Sequence, residues 1–518
     1  MTKLPQQFSK LPIWEISFYA LVWTAAVFYS IYSVYLVTND YFNDYFDDAY
    51  NDFEIGWSFI QRKIDISDEE WRMWIPFIFK LSPWVLVQVL ISQQMKLLFH
   101  NTEILCLWYS FVSIAFLLYY FGLTTTFCTL LLPLTSCLLT VLKSKALSWI
   151  VHCITLFFIY HARTSKLFQD WIQLHDEQFF MLSSAICWIQ LRSISYSIDS
   201  IVTYNRINIF GFMKDLLQNI AYCLYLPTLF LGPVILYEQF THGLKKPFTR
   251  WTKTKTIKIL GNIARYLFWM FFTHLSMHFI YFNALKYQPM FVETLQPWAF
   301  YGYGYCMGQY FFNKYVVVYG LTCTVSRAED IDAPPPPKCI GRIHLYSDMW
   351  KYFDNGLYKF LLRYIYIPLN PMSDCRKFVA SIICFIFIYF WHGMQYFIFI
   401  WSFLNFSGIL IEMIAKSLSS YFYKSILRDS LSLSFKRRLE CALASPLLAL
   451  SAVSNFYFVA GKEIGHMFAL RTAIQDSWEI RILMLFILYC SCQVSTEIKQ
   501  FEHVNIIRRK EVRGLKKD

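Results

Sequence analysis

The chain has 518 residues, 56% hydrophobic, 20% aromatic and only 16% charged, with a formal net charge of +12 and a mean hydropathy of +0.37. Soluble domains carry nearer a quarter charged residues, so this balance excludes a water-soluble globular fold. Apolar runs of about the 20 residues that a bilayer-crossing helix needs recur along the length.

Backbone groups in lipid must bond within their own segment, so the spans are expected to be helices. The predicted fold is all-α, a polytopic membrane domain over residues 1–518 with about ten to twelve membrane segments, some re-entrant. Charge placement orients it. Asp40, Asp44, Asp47, Asp48, Asp52 and Glu54 crowd the first loop. Lys245, Lys246, Arg250, Lys253, Lys255 and Lys258 fill a middle loop, and Arg508, Arg509, Lys510, Arg513, Lys516 and Lys517 lie in the tail, residues 501–518. Because basic loops stay inside, the middle loop and the tail are expected in the cytosol and the acidic loop across the membrane. Juxtamembrane Lys and Arg meet anionic headgroups of membrane lipid, so nucleic acid is dropped as a partner. The fourteen cysteines lie mostly in apolar runs without CxxC pairs or zinc spacing and read as small packing residues.

In chain order, the run Trp14 to Val37 follows a short polar head, lacks a small-x-small cleavage site and reads as a retained helix. Spans are predicted around Trp74 to Ile91, Ile104 to Leu142 and Ala146 to His161. The segment Phe179 to Ser200 begins apolar and turns polar with Arg192, Ser193, Ser195, Tyr196 and Asp199; charge at membrane depth lines a cavity or pairs with a partner. Next, Tyr222 to Phe240 carries Pro227, Gly232 and Pro233 inside an apolar run. It is predicted to break or re-enter, which is tolerated only where protein or a water-filled cavity receives the freed backbone groups. A kinked helix of no chemical interest is the plainer reading.

The span Ile259 to Leu285 holds His274 and His278 at i, i+4, but without the carboxylate of HExxH, and packing is favoured over metal binding. The run "DIDAPPPPKC" (Asp330 to Cys339) is a stiff polyproline-like connector. After it comes "WKYFDNGLYKFLLRYIYIPLNPMSDCRKFVASIICFIFIYFWHGMQYFIFIW" from Trp350. His392 lies well inside the apolar run Phe378 to Ile400, where a histidine kept neutral can act as a base, or can be a buried, hydrogen-bonded structural residue. Asp354, by its sequence alone, reads as a helix cap. No P-loop, GxGxxG or GxSxG pattern is present.

The stretch "WKYFDNGLYKFLLRYIYIPL" followed by an apolar helix with "YFWHG" resembles the core of the membrane-bound O-acyltransferases, in particular the branch that modifies Hedgehog-type proteins. The likeness extends to "LRSISYSID", "GPVILYEQF", "PPPPKC" and "LSAVSNFYFVAGKEIG", a core of residues 180–470. It implies that His392 is the family's characteristic histidine, which a related subgroup lacks. Asp354 stands where hydroxyl-acylating members carry Asn, which points to amide formation. The loop "LNPMSDCRK" departs from the Gly-rich turn of other members and affects acyl-donor contacts.

The reaction implied is transfer of palmitate from palmitoyl-CoA to the N-terminal cysteine amine of a secreted, Hedgehog-like acceptor. His392 would be the general base, and Asp354 would orient the imidazole, steer the amine or support the proton shuttle. Arg363 would meet the CoA phosphates or pair with Asp354, and Trp350 and Phe385 would wall an acyl tunnel. Cys339 would ligate the iron of a structural haem b through its thiolate, no cofactor being required for the chemistry. With CoA cytosolic and the acceptor lumenal, the expected home is the endoplasmic reticulum membrane or the Golgi. Alternatives left open are acylation of a lipid or serine hydroxyl, and a non-enzymatic transporter or scaffold.

Overall fold

The computed structural model describes residues 10–45, 52–99, 101–203, 209–369, 372–425 and 432–514. The side chains of Asp44, Asp47 and Asp48 and those of the basic tail from 506 onward lie outside the described residues.

The chain opens with α1 (Ile13–Tyr45) and a short antiparallel hairpin, β1 (Phe53–Ile55) with β2 (Lys63–Asp65), which the all-α expectation did not contain. Four long helices follow: α2 (Glu69–Leu98), α3 (Thr102–Phe121), α4 (Leu123–Val141) and α5 (Lys145–Thr164). Their starts are written in the sequence: Asp68, Asn101 and Ser144 each accept a hydrogen bond from a first-turn N–H, at 2.7, 2.8 and 3.3 Å, as N-caps do. Gly122, at φ +83°, divides the apolar stretch Ile104 to Leu142 into two helices.

The middle of the chain supplies α6 (Lys166–Ile172), α7 (Asp176–Thr203), α8 (Ile209–Cys223), α9 (Tyr237–Lys245), α10 (Lys253–Ser276), α11 (Pro289–Thr294) and α12 (Pro297–Ala328). The last third holds α13 (Tyr346–Phe353), α14 (Asn355–Leu361), α15 (Asp374–Trp391), α16 (Tyr396–Ser425), α17 (Leu433–Leu470) and α18 (Trp478–Gly514). Among the described residues eight helices are long and apolar enough to cross a membrane: α1 to α5, α16, α17 and α18. α7, α10, α12 and α15 are also long, and α7 owes its polarity to buried groups that include Gln190, Arg192, Ser193, Ser195 and Ser197. α12 packs against α1, α2, α10 and α17, and α7 against α4 and α5. The largest buried apolar cluster runs from Val34 to Phe468.

Between α8 and α9 the chain leaves the helix, as its prolines and Gly232 foretold. Residues 221–236 are all buried, so their carbonyls need donors from the protein. Arg192, 1% exposed, supplies them. Its Nη1 donates to Cys223 O (3.0 Å) and Tyr225 O (3.4 Å), and its Nη2 to Thr228 O (2.5 Å) and Thr228 Oγ1 (2.7 Å). Thr322 Oγ1 donates to Gly232 O at 2.8 Å, and Tyr222 OH to Ile235 O at 2.7 Å. No carboxylate among the described residues pairs with Arg192; the partners expected for a charge at membrane depth are carbonyl dipoles.

The histidine pair on α10 also has a plain account. The helix ends at Ser276 rather than running to Leu285. His278 Nε2 accepts from Trp57 N at 3.1 Å, and His278 Nδ1 lies 2.9 Å from His274 O. The pair therefore fastens the hairpin, and no group of three His, Cys, Asp or Glu side chains among the described residues is arranged to hold a metal.

Replacing Arg192 with Met strands several buried carbonyls at about 1–3 kcal/mol each. The expected outcome is a large fall in thermal stability in detergent by differential scanning fluorimetry. Arg363→Gln, at a 41% exposed side chain, should change stability by about 1 kcal/mol or less.

Candidate active site

His392 is placed by the end of a helix. The apolar run Phe378 to Ile400 is not one span: α15 stops at Trp391, and His392 is its C-cap. Gly393, at φ +101°, donates its N–H to Phe390 O (3.3 Å), and Met394 N–H reaches back to Tyr389 O (3.2 Å). These are the paired bonds of a Schellman motif, which favours Gly at this position. Tyr389 OH closes the turn on Met394 O at 2.9 Å. The imidazole meets three aromatic rings nearly edge to face: Trp391 at 4.7 Å, Phe458 at 5.0 Å and Trp401 at 5.3 Å between centroids. Trp401 is held by its Nε1–H on Asn455 Oδ1 at 3.1 Å. Among the described residues neither ring nitrogen of His392 has a hydrogen-bond partner, so the structural reading as a satisfied core histidine does not apply.

Asp354 is placed by the start of a helix. It ends α13 and caps α14, Oδ1 accepting from Leu357 N at 2.8 Å, while Oδ2 accepts from Tyr319 OH at 3.0 Å. The plain reading as a cap therefore holds, and the second carboxylate oxygen is held by Tyr319. Two residues on, a Cβ at Gly356 would strike Val234 O and crowd Pro233, so the start of α14 abuts the broken segment directly.

Both residues face one cavity of about 510 Å³, within the range of small-molecule sites. Trp188, Tyr319, Trp350 and Phe458 share its wall with them. Trp188 connects the two sides, its ring 6.4 Å from that of Tyr319 and 5.5 Å from that of Trp391. Gly232, at φ +63°, presses against the Trp188 ring so closely that a Cβ there would overlap it. Asp354 does not orient the imidazole by a direct bond, since its hydrogen bonds go to Tyr319 and Leu357.

Arg363 lies outside this cavity. It belongs to a π-helical turn, Leu362–Tyr366, and its guanidinium pairs with Asp199 (Nη2 to Oδ1 3.1 Å) and with Glu238, not with Asp354. Tyr364 OH adds a bond to Asp199 Oδ2 at 2.7 Å. Arg363 thereby ties the turn to α7 and α9. Trp350 lines the cavity and packs on Phe385 (5.1 Å) and Trp401 (5.6 Å). Cys339 begins a single 3-10 turn, Ile340–Arg342, and is half-buried; Ile340 and Gly341 reach the cavity. Sequence reasoning missed Tyr319, Trp188, Trp401 and Phe458, whose aromatic character reads as core until the fold gathers them.

Comparison with known proteins fits this arrangement. The profile of the membrane-bound O-acyltransferase family matches residues 117–454, a stretch that contains Asp354 and His392. The chain belongs to the membrane-bound O-acyltransferase family. Protein-cysteine N-palmitoyltransferase Rasp of Drosophila melanogaster is 30% identical over 505 residues, covering 96% of this chain and 97% of that relative. Protein-cysteine N-palmitoyltransferase HHAT of Mus musculus is 24% identical over 502 residues, covering 93% and 98%. The HHAT-like protein of Mus musculus is 23% identical over 504 residues, covering 94% and 95%. This chain is thus a multi-pass membrane acyltransferase with an all-α core.

Tyr319→Phe removes a hydrogen bond to a charged group, about 1.5–3 kcal/mol. The expected result is an acyl-transfer kcat lower by about ten- to a hundredfold with the KM for the acyl donor little changed, measured on purified enzyme in detergent.

Proposed function

We propose that the chain transfers palmitate from palmitoyl-CoA to the free α-amine of an N-terminal cysteine on a secreted, Hedgehog-type protein, in the endoplasmic reticulum membrane. The observation that carries this reading is a histidine with both ring nitrogens unengaged, sharing one aromatic cavity with a fixed carboxylate. The names of the two palmitoyltransferase relatives and their near full-length coverage support it.

A thioester is already activated, so the site's work is to position the two reactants, exclude water and remove a proton. The amine nitrogen attacks the thioester carbonyl carbon, and His392 takes the proton that the nitrogen loses. The tetrahedral intermediate then collapses, the C–S bond breaks, and the departing CoA sulfur receives the proton from the imidazolium. Asp354, acceptor-only while ionised, holds the incoming amine or ammonium, its carboxylate kept in place by Tyr319 OH and Leu357 N–H. Trp350 and the rings around His392 give the acyl chain an apolar wall, worth about 0.8 kcal/mol per buried methylene; Phe385, expected to share it, lies outside the cavity lining and supports Trp350 by ring contact. Arg363 acts in this scheme as a tie between the π-turn and α7; the cytosolic lysines of the middle loop are left to meet the CoA phosphates.

Cys339 fits single-thiolate ligation of a haem, which would brace the connector structurally and take no part in acyl transfer. Burial, the largest effect, holds its thiol above the usual range, and the N–H groups of Gly341 and Arg342 and the Arg342 charge offset this only in part, so bound iron would itself have to displace the thiol proton.

The decisive assay is transfer of an alkyne-tagged palmitoyl group from its CoA ester to a peptide with a free N-terminal cysteine. Hydroxylamine-resistant label is expected on that peptide, absent when its amine is acetylated and lost by about a thousandfold or more with His392→Ala, within the range of acid–base plus positioning effects. Label indifferent to the mutation would sink the mechanism. For haem, a Soret band in purified protein that disappears with Cys339→Ala, while the protein stays monodisperse, is the expected result.

A further inference from the structure

On α18, residues Arg481, Met484, Leu485 and Leu488 all line the cavity, the i, i+3, i+4, i+7 stripe of one helix face. The alternate positions Ile482, Leu483 and Phe486 are exposed on the outer surface. Arg481 therefore faces the cavity, whose wall Trp298, Tyr301 and Thr472 also form, and is half-buried where the cavity opens beside the exposed Leu485.

Its guanidinium is only partly engaged. Nη1 donates to Ala473 O at 2.7 Å, and Nε is buried with no acceptor. Among the described residues no carboxylate pairs with it. Nearby Arg471 contrasts: its Nε meets Asp476 Oδ1 at 3.0 Å and its Nη1 meets Leu295 O at 2.7 Å. Nor does Arg481 serve its own helix, because a cation in the opening turns of a helix faces the positive end of the dipole, a cost of about 0.3–1 kcal/mol.

Taking the acyltransferase reading above as given, we propose that Arg481 is an acceptor-binding residue, holding a peptide oxygen beyond the first residue of the acceptor's N-terminal segment as that segment enters the cavity. The polypeptide is favoured over CoA by place. Arg481 stands at the start of α18 and the basic tail at its far end, so the two belong to opposite faces of the membrane, and the CoA phosphates belong with the basic middle loop on the tail's face. A guanidinium with free N–H groups suits a backbone carbonyl or carboxylate oxygen, present in any polypeptide acceptor whatever its side chains.

The test compares two acceptors, cysteine amide and a six-residue peptide beginning with cysteine, using full-length enzyme in nanodiscs. Arg481→Gln should raise the KM for the hexapeptide about tenfold or more, the loss of one hydrogen bond to a charged group, with kcat and the KM for palmitoyl-CoA unchanged. It should leave the KM for cysteine amide unaltered, an asymmetry that a merely misfolded or loosened variant would not produce, and Arg481→Lys should fall between. An equal effect on both acceptors, a higher KM for palmitoyl-CoA, or an effect seen only in nanodiscs with anionic lipid would overturn the assignment. If wild-type enzyme acylates neither acceptor, the functional reading itself falls and this inference with it; transfer with an unchanged hexapeptide KM sinks Arg481 alone.

Discussion

A backbone that abandons the helix inside a membrane protein has no water to complete its hydrogen bonds, and here that demand falls chiefly on Arg192, with Thr322 and Tyr222 serving Gly232 and Ile235. Arg192 takes up carbonyls of residues 223, 225 and 228, which helps the segment from Leu224 to Leu236 to stay buried with only a single 3-10 turn, Leu226–Thr228, of helical structure. That segment then acts as a wedge. Gly232 bears on Trp188, and Val234 bears on Gly356 beside Asp354. Both walls of the cavity thus rest on a stretch whose carbonyls are served by a buried guanidinium together with Thr322 and Tyr222.

The two proposed reacting side chains share a second feature: each stands where a helix ends. Asp354 uses an opening N–H of α14, and His392 is carried on the closing turn of α15. Helix ends are where a long apolar chain can offer polar groups to a cavity without leaving further backbone groups unpaired. The carboxylate is immobilised by donors from two elements, while the imidazole is confined by ring packing and left free at its nitrogens. A base must be held in place without being engaged, and edge-on aromatic contacts do that where hydrogen bonds would compete with the substrate proton.

Arg363 illustrates how a charge in the core stretch can find its partners far from where the sequence suggests. In the sequence it is the first arginine of the core stretch after Asp354. In the fold its partners are Asp199 and Glu238, 164 and 125 residues away along the chain. Helical phase and the π-turn at Leu362–Tyr366 turn it away from the cavity.

The amino-acid sequence by itself determined that this is a helical membrane protein and that the run Tyr222 to Phe240, with its prolines and Gly232, would break or kink; Asp354 and His392 were singled out by the resemblance to the acyltransferase core, since by itself Asp354 reads as a helix cap. Those are local matters: composition, apolar run length, Pro and Gly, a carboxylate ahead of a helix. The end of α15 was also written there, in the His–Gly pair, but the apolar residues on both sides read as one continuous span. Only the tertiary structure decided that Tyr319 bonds Asp354, that Trp188 lies between the two sides of the cavity, and that Arg481 faces the cavity. Such pairings join positions far apart in the chain, where periodicity and propensity carry no information and only the packing of whole helices selects the partners.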